Sequence, residues 1–352
     1  MPATLTSKRH KVNDVAEGSA AVAEAIEFCF QQGWTDGLPV VPPTEAGVRA
    51  MLDGAGLEPG TEIAFIRQVS VTAEKVAANA VMAGCKPEYL SVVVAAVEGL
   101  GDPRWSYHGP STSTGGAAVL MIVNGPIARE LGVNSGDNLF GPGWRANMTI
   151  GRAVRLVMRN VCGSIPGALD RGTLGHPGKI SYVIAENEEE SPWTPLHVER
   201  GFAPTQSTVT VMAAESPHQF YNQLSSTAEG VLTTLSDSMQ ISGGVMGQPN
   251  YALVIAGEHM RTIARDGWQK ADIRKFVFEH TQNSHAHLKR TQRMSGAIEP
   301  GDETRMRPLV LSADDILVVA AGGRAGAFSS FIPGWSSRRT SEAVTKEIRR
   351  PR

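Results

Sequence analysis

Apolar side chains recur at helical spacing from residue 14 to 32, where Val22, Ile26 and Phe30 share a face and Gly33 provides a stop, so an amphipathic helix is predicted there. The segment Thr35-Asp36-Gly37-Leu38-Pro39-Val40-Val41-Pro42-Pro43-Thr44 reads as an Asp-Gly turn feeding an extended stretch. Thr44 is placed to cap the next helix, with Glu45 at its positive end. Further helices are predicted over 73–83, ending at Gly84, and from Pro87 to about Leu100. Short, continuously apolar runs at 117–123, 207–213, 251–256 and 315–321 fit strands buried on both faces. Together these elements predict an α/β fold, with mixed or parallel sheets flanked by helices.

One pattern occurs twice. LMIVNG at 120–125 leads to Ile127-Ala128-Arg129 and a closing Gly132, and LVIAGE at 253–258 leads to Ile263-Ala264-Arg265 and a closing Gly267. A duplicated βα unit accounts for the echo and divides the chain into two similar halves. An N-terminal half, 1–200, then carries a Gly-rich loop and an arginine helix, and a C-terminal half spans 205–352. The plainer account is that any two βα units share a strand, a Gly-bearing turn and a helix.

Composition narrows the class. The chain has 352 residues, 41% hydrophobic and 19% charged, enough for a large core. A formal charge of −2 leaves no electrostatic footprint for nucleic acid, and the basic residues Arg338, Arg339, Lys346, Arg349, Arg350 and Arg352 read as an exposed tail. No apolar run reaches membrane-spanning length, and the first dozen residues lack the apolar stretch of a signal peptide, so a cytoplasmic protein with no membrane partner is expected. Cys29, Cys85 and Cys162 lie far apart, with neither a disulfide framework nor a CxxC pair.

The chemistry-bearing segments come next. Gly141-Pro142-Gly143-Trp144 opens a helix running to about Val161. On a wheel of 3.6 residues per turn, Ile150, Val154, Val157 and Val161 share one side and Arg145, Arg152, Arg155 and Arg159 the other. The arginine side is expected to face water, an acidic partner or a bound anion. Trp144, Arg145, Asn147 and Arg152, at the helix start, form the candidate substrate-binding set, since free N–H groups and a positive dipole there favour a carboxylate or phosphate; a solvated basic face is the plainer reading. Cys85, beside Lys86 and just ahead of Pro87 at a helix start, is the candidate thiol, with a lowered pKa expected; the alternative is a small buried hydrophobe. His108 sits in a turn, and Glu186, Glu188 and His197 form a second acid–base set in or near the acidic run 186–190, which reads otherwise as a solvated loop. No histidine spacing marks a metal site, and no cofactor is assigned.

Six segments carry a likeness: TDGLPVVPPT (35–44), AEKVAANAVMAGCKPEYL (73–90), IVNGPIARELGVNSG (122–136), FGPGWRANMTIGRAVRL (140–156), AENEEESPWTPLHVERGF (185–202) and IPGW (332–335). In these the chain resembles the large domain associated with UGSC-type (seleno)proteins, over residues 30 to 335. In that family a smaller fused or separate domain bears the redox-active selenocysteine or cysteine. No UGSC motif occurs in this chain, so the resemblance implies a small UGSC-type partner subunit. One departure is Ser111-Thr112-Ser113-Thr114-Gly115-Gly116, where relatives tend to carry a His-containing segment after His108.

Three functional expectations follow. The first is the larger subunit of a two-component thiol- or selenol-dependent redox enzyme or lyase, part of an oligomer and acting on a small anionic substrate, with Cys85, His108 and Glu188 catalytic. The second is a stand-alone metal-assisted or cofactor-free hydrolase or lyase using Glu186, Glu188 and His197. The third is a non-catalytic scaffold whose arginine stripe docks a partner.

Overall fold

The computed structural model describes residues 19–242, 247–337 and 341–350. The first helix, α1 (Ser19–Gln31), runs to the predicted stop; the expected start at 14–18 and the tail residues Arg338, Arg339 and Arg352 lie outside the described residues. Helix α2 (Glu45–Ala55) begins as predicted, the Thr44 hydroxyl accepting the Gly47 N–H at 3.1 Å. A hairpin of β1 (Glu62–Ile66) and β2 (Val69–Thr72) follows, then α3 (Ala73–Ala83), which ends at Gly84, and α4 (Leu90–Gly101) after one tight turn at Pro87–Tyr89. Strand β3 (Ala118–Asn124) leads through the short helix Pro126–Glu130 to α5 (Arg145–Asn160).

Strands β4 (Val183–Ala185), β5 (Thr208–Ala214) and β6 (His218–Tyr221) come next. They are followed by α6 (Ala228–Gln240), β7 (Pro249–Ile255), α7 (Gly257–Arg265) and α8 (Lys270–His280). A separate two-stranded sheet pairs β8 (Gln282–Ser284) with β9 (Met306–Pro308). Strands β10 (Ile316–Ala320), β11 (Phe328–Ser337) and β12 (Val344–Glu347) complete the chain.

Eight strands form one mixed sheet in the order β10-β7-β11-β5-β3-β4, with β12 added to β5 and β6 to β11. Each side of it is a parallel pair followed by an antiparallel strand: β4, β3 and β5 on one side, β10, β7 and β11 on the other. The two sides meet where Gly334 of β11 faces Ala214 of β5. A Cβ on Gly334 would lie 2.4 Å from the Asn250 carbonyl, which explains a glycine in mid-sheet. The strands that open the two echoed motifs, β3 and β7, thus hold matching places in the sheet.

The sheet curls until its outer edges approach. The Asn187 N–H, just past β4, donates to the Ala320 carbonyl of β10 at 2.7 Å, and the Gly322 N–H donates to the Ser135 carbonyl at 2.8 Å. Period-2 alternation then sorts the buried side chains into three cores. Leu120, Ile122, Met212, Val254, Leu317, Val319 and Ile332 fill the inside of the curl. Met121, Val123, Val209 and Val211 point outward onto α3, α4 and α5. Leu253, Ile255, Val318 and Phe331 pack outward against α6, α7 and α8. Strands buried on both faces are why these segments read as unbroken apolar runs. Among the described residues no helix is long and apolar enough to cross a membrane.

Candidate active site

Parallel strands β3 and β4 end side by side, the place where open α/β sheets leave room for ligands. Here β3 ends on a polar residue, Asn124, which is fully buried. The chain then turns at Gly125, whose φ of 84° belongs to the left-handed side and whose Cβ would lie 2.3 Å from the Gln206 carbonyl. No other residue fits that position.

The acidic loop after β4 is sorted rather than uniformly solvated. Glu186 is buried, Glu188 is a quarter exposed, and Glu189 reaches the surface to pair with Arg129 at 2.8 Å. Glu186 is pinned from three sides: by Lys270 Nζ at 2.7 Å, by Asn124 Nδ2 at 2.6 Å and by the Leu196 N–H at 2.7 Å. Lys270 also lies 3.4 Å from Glu199, which Arg274 holds at 2.8 Å. Buried ions of opposite sign so satisfied form a rigid base under the loop.

Glu188 stands above that base. Its Oε1 accepts from Asn124 Nδ2 and from the Gly125 N–H, both at 2.8 Å, while Oε2 has no hydrogen bond among the described residues. Asn124 Nδ2 thus spans two carboxylates, which fixes the amide orientation, since the reverse would set oxygen against oxygen. His197 is fully buried, and its Nδ1 lies 3.6 Å from Glu188 Oε1, beyond hydrogen-bond distance. Of the seven buried side-chain polar atoms without a partner among the described residues, four belong to Asn124, His197 and Thr208. Thr208 is the cross-strand partner of Asn124. Such clustering of unmet polar atoms is unusual in a protein interior and points to a working site.

A cleft of about 440 Å³ opens onto this network, walled by Gly125, Pro126, Arg129, Asn134, Trp144 and Glu188 among others. Of the residues expected at the start of α5, Trp144 alone lines it, and its ring is exposed. Arg145 turns away and gives two hydrogen bonds to the Gly84 carbonyl, at 3.1 and 2.9 Å. Asn147 is buried, bridging Asn134 and the Val183 carbonyl. Arg152 grips Asp36 through two bonds of 2.8 Å and also reaches the Leu38 and Pro39 carbonyls. Arg155 pairs with Asp170 at 2.7 Å. Three of the four arginines of the stripe, Arg145, Arg152 and Arg155, therefore face loops of their own chain. Carboxylates at Asp36 and Asp170, outside the helix, fold over the stripe, and a helix wheel has no view of them.

Cys85 is also placed differently from the expectation. Its thiol is buried, donates to the Thr149 carbonyl at 3.3 Å, and is pushed up to about 12 by that burial, which outweighs the hydrogen bond and the charge of Arg145. A lysine neighbour in sequence does not help, because the exposed Lys86 pairs with Glu88 instead. His108 is exposed and lines another cleft, with Arg67, Asp102 and Tyr107. The structure therefore brings Glu188 and Trp144 together and leaves Cys85 and His108 elsewhere. Asn124, Thr208 and Lys270 went unread in the sequence, and Gly125 was read only as a turn; a polar Asn-Gly-Pro break closing an apolar strand run was the available signal.

Among the described residues no three His, Cys, Asp or Glu side chains are grouped so as to hold a metal ion. No protein-family model matches the chain, and no curated protein matches it significantly.

Proposed function

We propose that this chain is an enzyme, or the substrate-binding component of one, that abstracts a proton from a small molecule with Glu188 as the general base, in the manner of a lyase. The observation that carries the reading is the carboxylate itself. One oxygen is fixed by Asn124 and the Gly125 N–H, the other has no partner among the described residues, and the side chain lines a cleft. A base held at one oxygen keeps its second lone-pair set aimed, which lowers the cost of reaching the transition state. The proton taken by Oε2 leaves a neutral acid, which returns it to the leaving group as the neighbouring bond breaks.

Proton abstraction is favoured over acyl transfer because the nearby donors are already engaged. Asn124 Nδ2 and the Gly125 N–H bind the carboxylate and are not turned toward a developing oxyanion. The protonated Cys85 thiol has no part in this scheme. In the two-component form implied by the family resemblance, any redox-active thiol or selenol is the partner's, and this chain supplies the cleft and the base.

The test is solvent exchange. Pooled small metabolites incubated with the protein in D2O, with and without a co-expressed UGSC-type subunit, are screened by mass for deuterium uptake or elimination. Glu188→Gln is expected to slow the reaction by about 10²- to 10⁴-fold, and Cys85→Ser to leave it unchanged. Loss of the reaction in Cys85→Ser with retention in Glu188→Gln reverses the assignment.

A further inference from the structure

The charges around the cleft are balanced except at one point. Glu186 is matched by Lys270 and Glu189 by Arg129. Glu188, three-quarters withdrawn from solvent, has no lysine or arginine within hydrogen-bond reach among the described residues; His197 lies 3.6 Å from it. The unmet group at the cleft itself is an acceptor. Glu188 Oε2 has no donor among the described residues, and Glu188 lines the cleft. An exposed indole, Trp144, lines the same cleft, and the face of an indole attracts cations. Removing a carboxylate from water without a counter-charge is costly, and a ligand that brings positive charge and N–H donors relieves both deficits.

We propose that the cleft takes a small molecule bearing a primary ammonium group, an N–H donor meeting one lone pair of Glu188 Oε2, which leaves the other for the proton, and its charge lying beside the Trp144 indole. This replaces the anionic substrate expected from the arginines of α5, which are occupied by Gly84, Asp36 and Asp170. It rests on Glu188 being the working group of the cleft, and it adds the class of molecule that reaches it.

The probe is methylammonium chloride, titrated into the full chain while indole fluorescence is followed. Trp144→Phe assigns the signal to that ring, and potassium chloride controls for ionic strength. A saturable change with methylammonium is expected, absent with sodium acetate, and weaker by about tenfold or more in Glu188→Gln. Tetramethylammonium has the charge but no N–H donor and is expected to bind more weakly. Saturable binding of acetate without methylammonium, tetramethylammonium binding as tightly as methylammonium, or no response to any ammonium ion overturns the proposal; these wild-type titrations decide it even if Glu188→Gln does not fold. Should methylammonium fail while Glu188→Gln still abolishes solvent exchange, the substrate class falls and the proton-transfer reading stands. Binding that needs Glu188, alongside turnover that does not, separates them the other way.

Discussion

Glu188 and His197 stop just short of a hydrogen bond: Oε1 and Nδ1 are 3.6 Å apart, and the imidazole is wholly buried with neither nitrogen partnered among the described residues. A histidine kept for packing alone is better replaced by a ring without polar atoms, because unmet buried groups cost free energy. His197→Phe is therefore expected to leave stability unchanged or raise it by up to about 1 kcal/mol. On the reading proposed for Glu188, proton exchange should nevertheless fall by about tenfold or more, since the ring backs that carboxylate. Thermal melting read beside deuterium exchange checks both halves. A clear fall in melting temperature with exchange intact makes the ring a packing residue.

Cys85 provides a contrasting test. Burial pushes its thiol up to about 12, so at pH 8 about one molecule in ten thousand carries the thiolate. Alkylation by iodoacetamide in the native state should be slower than that of a small free thiol by at least about 100-fold, and should accelerate in denaturant. Mass spectrometry of the peptide containing residue 85 after timed quenching measures it. Rapid native labelling would restore the nucleophile that the sequence suggested.

The clamp between Asp36 and Arg152 predicts a pH dependence. Burial works to raise the Asp36 carboxyl, but hydrogen bonds and charge from Arg152 outweigh it and hold the carboxyl below its ordinary value of 3.8. A carboxyl whose folded value is depressed contributes its stability in full above the unfolded value and loses it as the pH falls through the folded one. Asp36→Asn is expected to cost about 1–3 kcal/mol at pH 7, and the gap from the wild type should close as the pH falls below 3.8. Arg152→Lys should cost a comparable amount, since an ammonium cannot reproduce the two-pronged grip or hold the Leu38 and Pro39 carbonyls with it. Chemical denaturation across pH 2.5–7 tests the sign. A gap that widens in acid contradicts the linkage.

What could be seen in the sequence was local. Thr44 and Gly84 marked helix ends because capping chemistry resides in one or two residues. The runs that became β3, β5, β7 and β10 were visible because strands covered on both faces carry no polar alternation. Strand β11 went unread: Pro333 and Gly334 interrupt the apolar run that marks a strand, and the glycine is required where the strand passes close to Asn250. The mates of the arginine stripe were hidden for a different reason: Arg152 and Asp36 are 116 positions apart, and no periodicity reports such pairs. The site was half legible. Glu186, Glu188 and His197 stood out by type and proximity, while Asn124 and Lys270 join them only when the sheet forms.

Lys270 and Glu186 allow that last step to be examined directly. Lys270 is 3% exposed and its ammonium lies 2.7 Å from a carboxylate with no exposed side-chain surface. Truncating one partner of such a pair leaves the other buried and uncompensated, so Lys270→Met is expected to cost about 3–5 kcal/mol. Glu186→Gln should cost less, because Glu199 remains 3.4 Å from the ammonium. The double substitution should recover part of the loss, with a coupling of about 1–3 kcal/mol, since it removes both charges while keeping an amide for the Leu196 N–H. Denaturant unfolding of all four proteins closes the cycle. Exchange activity separates the pair's structural task from catalysis: Asn124 Nδ2 bonds both Glu186 and Glu188. If that shared amide aims the base, the double variant regains stability before it regains activity; full recovery of both would show that Glu188 needs only the Gly125 N–H to stay in place.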